Sequence, residues 1–207
     1  MALRDYAEEI LGSKGRVRVL RALVRYRGKV FTVRELAKAA DLSHPQTSKV
    51  LRGLESRGVV RLQPVGRAHQ VSLNDESYVL KSVVEPLFAA ERNTINSLVS
   101  TIRPFFEDKR IVSVAIFGSV ARGLEREASD IDLLIVSDDR DLANERAAAA
   151  TVATLSMFGH ALSPLIIERE RFAKNSKGEL ERSMLAHYTL VCGRDPKEIV
   201  ASGKASR

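Results

Sequence analysis

The chain of 207 residues carries 33 Lys and Arg against 26 Asp and Glu, a net charge of +7, and 44% of its residues are apolar. That length allows one large domain or two small ones with their own cores, and no stretch approaches the apolar run needed to span a bilayer. A single cysteine, Cys192, excludes an internal disulfide and argues against a zinc site, and the N-terminus Met1-Ala2-Leu3-Arg4-Asp5 carries acids where a signal peptide has an apolar core, so a cytoplasmic protein is expected.

The charge is unevenly spread. Residues 1–75 hold 15 Lys and Arg against 7 Asp and Glu, a net of +8, while the remainder holds 18 against 19, a net of −1. A basic field concentrated in one third of a chain is the footprint of a nucleic-acid-binding module. Within it, Val17, Val19, Leu20, Leu23 and Val24 recur at helical spacing and predict an amphipathic helix over 14–26. Thr32 with Glu35 three residues on is a capping box opening a helix over 33–40. Ser43 caps a third helix with Pro45 in its first turn, where the missing N–H costs little, and this helix ends at Arg57-Gly58. Residues 59–63 and 68–73 read as two strands joined by a hairpin turn over Pro64-Val65-Gly66-Arg67.

Helix, helix, turn, helix, hairpin is the order of a winged helix-turn-helix domain, and residues 32–73 resemble bacterial and archaeal regulators of that class, most closely at Leu54-Glu55-Ser56-Arg57-Gly58-Val59-Val60. The resemblance implies that the third helix docks in the major groove of double-stranded DNA and that the wing reaches the backbone or minor groove. The exposed face of the third helix offers His44, Gln46, Ser48, Lys49 and Arg52, and Arg67 stands at the wing tip with His69 and Gln70 beside it. Gln suits adenine, Lys suits guanine or phosphate, and Ser suits either.

From Asn74 to Asp108 the apolar residues Leu80, Val83, Val84, Leu87, Phe88, Ile95, Leu98, Val99 and Ile102 keep helical spacing, with Pro86 expected to kink or restart the run. This helical linker needs a partner for its stripe, either the following domain or the same helix of a second subunit in a homodimer.

Beyond it, residues 111–117 and 131–136 are short apolar runs rich in β-branched residues and read as strands. Gly118-Ser119 follows the first, and Asp130-Ile131-Asp132 opens the second. Residues two apart on a strand share a face, so the two carboxylates project the same way and stay ionised at low cost when a divalent cation lies between them. Hard oxygen donors suit Mg²⁺, which fills its shell with waters and substrate phosphates. Gly118 lets the backbone approach a phosphate, and Ser119 offers its hydroxyl and N–H. The rest alternates a helix over 142–158, a strand over 161–167, a helix over 178–186, a strand over 188–192, a turn at Gly193-Arg194-Asp195-Pro196 and a frayed tail over 201–207. The four histidines, His44, His69, His160 and His187, lack metal-ligand spacing.

Gly-Ser, ten residues, then Asp-x-Asp, with Ala121-Arg122-Gly123 in the spacer and Ser129 before the first Asp, resembles the minimal nucleotidyltransferases of the DNA polymerase beta superfamily over roughly residues 105–195. The resemblance implies nucleotidyl transfer. Asp130 and Asp132 hold Mg²⁺ on a nucleoside triphosphate, Gly118 and Ser119 cradle its β and γ phosphates, and Arg122 neutralises phosphate charge. Active members add a third carboxylate on a neighbouring strand, but residues 161–167 contain no acid, and Glu168 just past them is the available substitute.

The expected fold is therefore mixed α/β of the α+β kind. A winged helix-turn-helix occupies 1–73, the linker 74–108, and a nucleotidyltransferase-like mixed sheet flanked by helices 109–200. Two functions fit. One is a DNA-binding transcriptional regulator whose second domain binds Mg-nucleotide with transfer weakened by the missing acid. The other is an active enzyme moving a nucleoside monophosphate to a protein, as an antitoxin does, or to a small hydroxylated molecule. A third reading reduces the second domain to a scaffold.

Overall fold

The computed structural model describes residues 13–66, 68–124, 129–174 and 178–205. These form two compact units that divide between Asn93 and Thr94.

In the first unit, α1 is Lys14–Arg25, β1 Phe31–Thr32, α2 Val33–Ala39, α3 His44–Glu55, β2 Val60–Val65 and β3 Ala68–Leu73. Both predicted caps form reciprocally. The Glu35 N–H donates to the Thr32 hydroxyl at 3.2 Å while the Glu35 carboxylate accepts from the Thr32 N–H at 2.8 Å. The Ser43 N–H donates to the Gln46 side-chain oxygen at 3.1 Å. Between α2 and α3, Asp41 takes a left-handed conformation, φ 52°, and Arg18 donates to its carboxylate at 3.2 Å. The antiparallel sheet has the order β1-β3-β2, and Val65 pairs with Ala68. The hairpin is thus tighter than expected: Pro64 and Val65 lie in β2, an edge strand that tolerates a proline lacking its ladder N–H. Arg67 lies outside the described residues.

The linker does not stand apart. Its helical path passes through a π turn, Leu80–Val84, into α4, Glu85–Ile102. The Glu85 N–H reaches back to the Leu80 carbonyl, so the widened turn directly precedes Pro86, which has no N–H to give the regular ladder. Leu80, Val84 and Phe88 are buried with Leu20, Leu23, Phe31 and Leu54 in the first core. Leu98, Val99, Ile102 and Phe106 belong to the second. Most of the apolar stripe is thus covered within the chain, while Val83 stays exposed. Arg21 seals the first half with a two-pronged pair to the buried Glu91, both bonds 3.1 Å.

In the second unit, β4 is Ile111–Ile116, α5 Gly118–Arg122, β5 Ile131–Ser137, α6 Arg140–Phe158, β6 Leu162–Glu168, α7 Arg169–Lys174, α8 Glu179–Ala186, β7 Thr189–Gly193 and α9 Pro196–Ala205. The mixed sheet has the order β6-β5-β4-β7, with β5 and β6 parallel and the other pairs antiparallel. Along β5, Ile131, Leu133 and Ile135 enter one core, with α6, while Leu134 and Val136 enter another, with Phe172, Met184 and Ile199. Burial on both faces is why β4 and β5 read as continuous apolar runs. The tail expected to fray is instead helical through Ala205. Ile199 and Val200 are buried, and a Cβ on Gly203 would sit 2.6 Å from the Ala173 Cβ, so its absence permits the close packing of α9 on α7.

Candidate active site and nucleic-acid interface

The ends of β4 and β5 bring the acidic motif and the glycine turn together. Phe117 ends the β4 side, and its N–H donates to the Asp132 carbonyl at 3.0 Å. Gly118 follows with φ +71°, a left-handed conformation that favours glycine, and a Cβ there would overlap the Asp132 carboxylate, 2.8 Å from its Cγ. The expected turn is the start of the short helix α5, with Ser119 half-buried in it and Gly123, φ 69°, ending it in a left-handed cap. Arg122 folds back over the turn, its Nε donating to the Gly118 carbonyl at 3.1 Å.

Asp132 is the second residue of β5 and half-buried, on the face of Leu134 and Val136; Asp130 lies one residue before the strand and is exposed. Burial lifts the Asp132 carboxyl above its ordinary range, the Asp130 charge adds to the rise, and Arg122 opposes it. Two oxygen donors with one raised by like charge suit a hard divalent cation that brings waters and phosphates of its own. Among the described residues no group of three or more His, Cys, Asp or Glu is arranged to hold a metal.

The register of β6 corrects the expected third acid. Asp132 pairs with Ser163, whereas Glu168 pairs with Ser137 at the far end of the strand. Five residues at 3.3 Å each put Glu168 roughly 16 Å along the strand from that position. It lines a small cavity of about 80 Å³ with Arg140 and Arg171 instead. Replacing Glu168 with glutamine is expected to leave Mg²⁺-dependent nucleotide affinity unchanged in a calorimetric titration.

His160, set aside with the other histidines, is buried and reaches this segment: its Nδ1 lies 3.0 Å from the Ser129 carbonyl oxygen. Nothing in its spacing from Asp130 announces the contact, because the contact depends on the parallel pairing of β5 with β6.

On the first unit, Thr47, Leu51 and Leu54 bury one face of α3, and His44, Lys49 and Arg52 are exposed. Gln46 is exposed but its carbonyl oxygen is taken by the cap, which leaves its amide donors and removes the two-point pattern that reads adenine. Ser48 is half-buried and lines a groove of about 410 Å³ between α3 and the hairpin, with Arg52, Glu55, Pro64 and His69.

A family model described as a nucleotidyltransferase domain matches residues 99–185, and one described as the MarR family matches residues 13–70. No protein of curated function matches the chain. Among solved structures, a toxin-antitoxin with AMP-PNP is 15% identical over 54% of this chain and 84% of its own, with a TM-score of 0.38. A MarR family transcriptional regulator from Silicibacter pomeroyi is 22% identical over 48% and 71%, with a TM-score of 0.37. TrmBL2, an archaeal chromatin protein, is 21% identical over 85% and 72%, with a TM-score of 0.32. The exposed face of α3 and the Gly-Ser to Asp-x-Asp segment each fall inside a matched range. The chain is thus matched over residues 13–70 as a MarR-type winged-helix domain and over residues 99–185 as a nucleotidyltransferase domain.

Proposed function

We propose that the protein is a DNA-binding transcriptional regulator whose nucleotidyltransferase domain binds a magnesium-nucleotide complex and transfers its nucleotidyl group slowly or not at all. The observation that carries this reading is the pairing of Asp132 with Ser163. The Gly-Ser turn and the acid pair favour nucleotide binding, while Ser163, opposite Asp132, is not the third carboxylate that the resemblance to active nucleotidyltransferases leads one to expect on a neighbouring strand. Bound Mg²⁺ would neutralise the triphosphate and polarise the phosphorus under attack. The chain's own residues do the rest. Asp130 and Asp132 supply negative oxygens, Gly118 admits the phosphates close to the backbone, Ser119 donates hydrogen bonds, and Arg122 swings from the Gly118 carbonyl toward phosphate charge. Without a third acid, an incoming hydroxyl keeps its proton longer and transfer is slow.

The test is calorimetric titration with non-hydrolysable ATP, GTP, CTP and UTP analogues, with and without Mg²⁺, repeated on Asp132→Ala. Metal-dependent binding lost in the variant supports the reading, and no binding to any analogue overturns it in favour of a scaffold. The second reading, active transfer to a protein or a small hydroxylated acceptor, is favoured by the intact Gly118-Ser119 and Asp130-Ile131-Asp132. Transfer of label from an α-labelled triphosphate at enzymatic rates would establish it.

For DNA, Lys49 and Arg52 on the exposed face of α3 are proposed as the main contacts, with His44 at the start of that helix, Ser48 toward the wing and Arg67 on the backbone. Lys49→Ala with Arg52→Ala is expected to weaken binding and to lower the slope of log affinity against log salt by about 1 for each phosphate contact removed. Fluorescence anisotropy at several salt concentrations checks this, and an unchanged slope would remove α3 from the interface.

A further inference from the structure

Asp130 is exposed and stands outside the strand, yet both peptide groups that flank it are tied down. Beyond it, the Ile131 N–H donates to the Ala161 carbonyl at 2.9 Å, the first rung between the segments that lead into β5 and β6. Before it, the Ser129 carbonyl lies 3.0 Å from Nδ1 of His160. A carbonyl oxygen only accepts, so Nδ1 carries the proton and donates. One bond orients the peptide plane entering Asp130 and the other the plane leaving it. Together they fix φ and ψ at Asp130 and so the direction of its Cβ. Asp132 needs no such help, because it sits within the ladder and its carbonyl accepts from Phe117.

His160 is well placed for this duty. Gly159, φ 72°, ends α6 in a left-handed cap and turns the chain into β6, so His160 sits at the mouth of that strand, beside the approach to β5. It is 7% exposed, which packs the ring against its neighbours and limits the directions Nδ1 can take. Parallel strands begin at the same edge of a sheet, so a residue just before β6 lies naturally beside one just before β5. A buried histidine serving the core alone needs only a satisfied ring nitrogen. Here the acceptor belongs to the residue immediately before a candidate metal carboxylate.

We infer that His160 is a positioning residue for the acidic pair, holding the Asp130 carboxylate through the Ser129 carbonyl in the orientation a magnesium-nucleotide requires. The inference rests on the nucleotide-binding reading given above and assigns to a residue outside the Gly-Ser and Asp-x-Asp motif a part in that site. Groups hydrogen-bonded directly to a metal ligand typically govern metal affinity by about 10–100-fold, and His160, acting one peptide further back, belongs at the lower end of that range.

The experiment compares wild type, His160→Leu and His160→Asn, the last because an asparagine amide can donate from near the Nδ1 position. Mg²⁺-dependent nucleotide affinity is measured by calorimetry, and amide hydrogen exchange over residues 129–133 is followed in the metal-free protein. His160→Leu is expected to weaken the metal-dependent affinity about tenfold or more and to speed exchange in that segment, while exchange in the centre of β5 stays at the wild-type rate. His160→Asn is expected to recover most of both. In an Asp130→Asn background, His160→Leu should cost nothing further, because the residue it orients is already disabled. Affinity unchanged in His160→Leu, with wild type binding normally, overturns the positioning role alone. A loss that His160→Asn leaves unrepaired, or that adds in full to Asp130→Asn, also overturns it and assigns His160 to packing. Absence of binding in wild type overturns the nucleotide reading itself.

Discussion

Asp132→Asn is expected to raise the melting temperature of the metal-free protein at neutral pH while lowering Mg²⁺-dependent nucleotide affinity by about 100-fold or more, beyond the range typical of changes one bond removed from a metal. The opposite signs come from one cause. Burial first, and the Asp130 charge second, raise the Asp132 carboxyl above its ordinary range. The folded chain therefore holds this proton more tightly than the unfolded chain does. Stability contributed by the group is full below the unfolded pKa and is lost as pH rises through the raised one, so at neutral pH the ionised carboxylate is a burden on the empty fold. Asparagine removes that charge at nearly the same shape. The melting temperature of wild type should rise on acidification from neutral pH into the carboxylate range relative to that of the variant. Thermal melts of both proteins across pH check the sign, and a variant less stable than wild type at neutral pH would show that Asp132 is held by attractions rather than strained by repulsion.

Gly118→Ala carries the second large effect, and it acts twice. A residue with a side chain at φ +71° costs about 1–2 kcal/mol in backbone strain. The new Cβ would also collide with the Asp132 carboxylate, so either the turn shifts or the carboxylate does. Both stability and nucleotide affinity should fall. Gly28→Ala separates the two costs, because Gly28 has φ +84° with nothing within 4 Å of its hypothetical Cβ. That variant should lose stability through strain alone and bind nucleotide as wild type does. Equal affinity losses in the two variants would mean that the overlap at Gly118 is without consequence for the site.

What could be read from the sequence was what is local. Thr32 with Glu35, and Ser43 ahead of Pro45, announce their helices because a cap is built from residues within one turn of each other. The two strands that frame the site were legible because β4 and β5 are buried on both faces, so their apolar runs are unbroken. Register was not legible. That Ser163 opposes Asp132, and that Glu168 falls at the wrong end of β6, follows from how two strands joined by a 19-residue helix settle against each other. His160 was missed for the same reason. The tail over 201–207 was misread in the other direction: packing of Gly203 against Ala173, where a side chain would not fit, holds the chain helical through Ala205. Gln46 shows a third limit, since a residue that looks free to read a base was already committed to a cap.

The way α4 divides its apolar residues also decides how the protein can be cut into pieces for study. A fragment ending at Leu73 would contain every helix and strand of the winged helix, yet it would lack Leu80, Val84 and Phe88, leaving Leu20, Leu23 and Phe31 short of their covering and Arg21 without Glu91. Such a piece should be poorly soluble or molten, and its failure to bind DNA would say nothing about the domain. Truncation after Asn93 keeps those contacts, and that is where an isolated DNA-binding half should end.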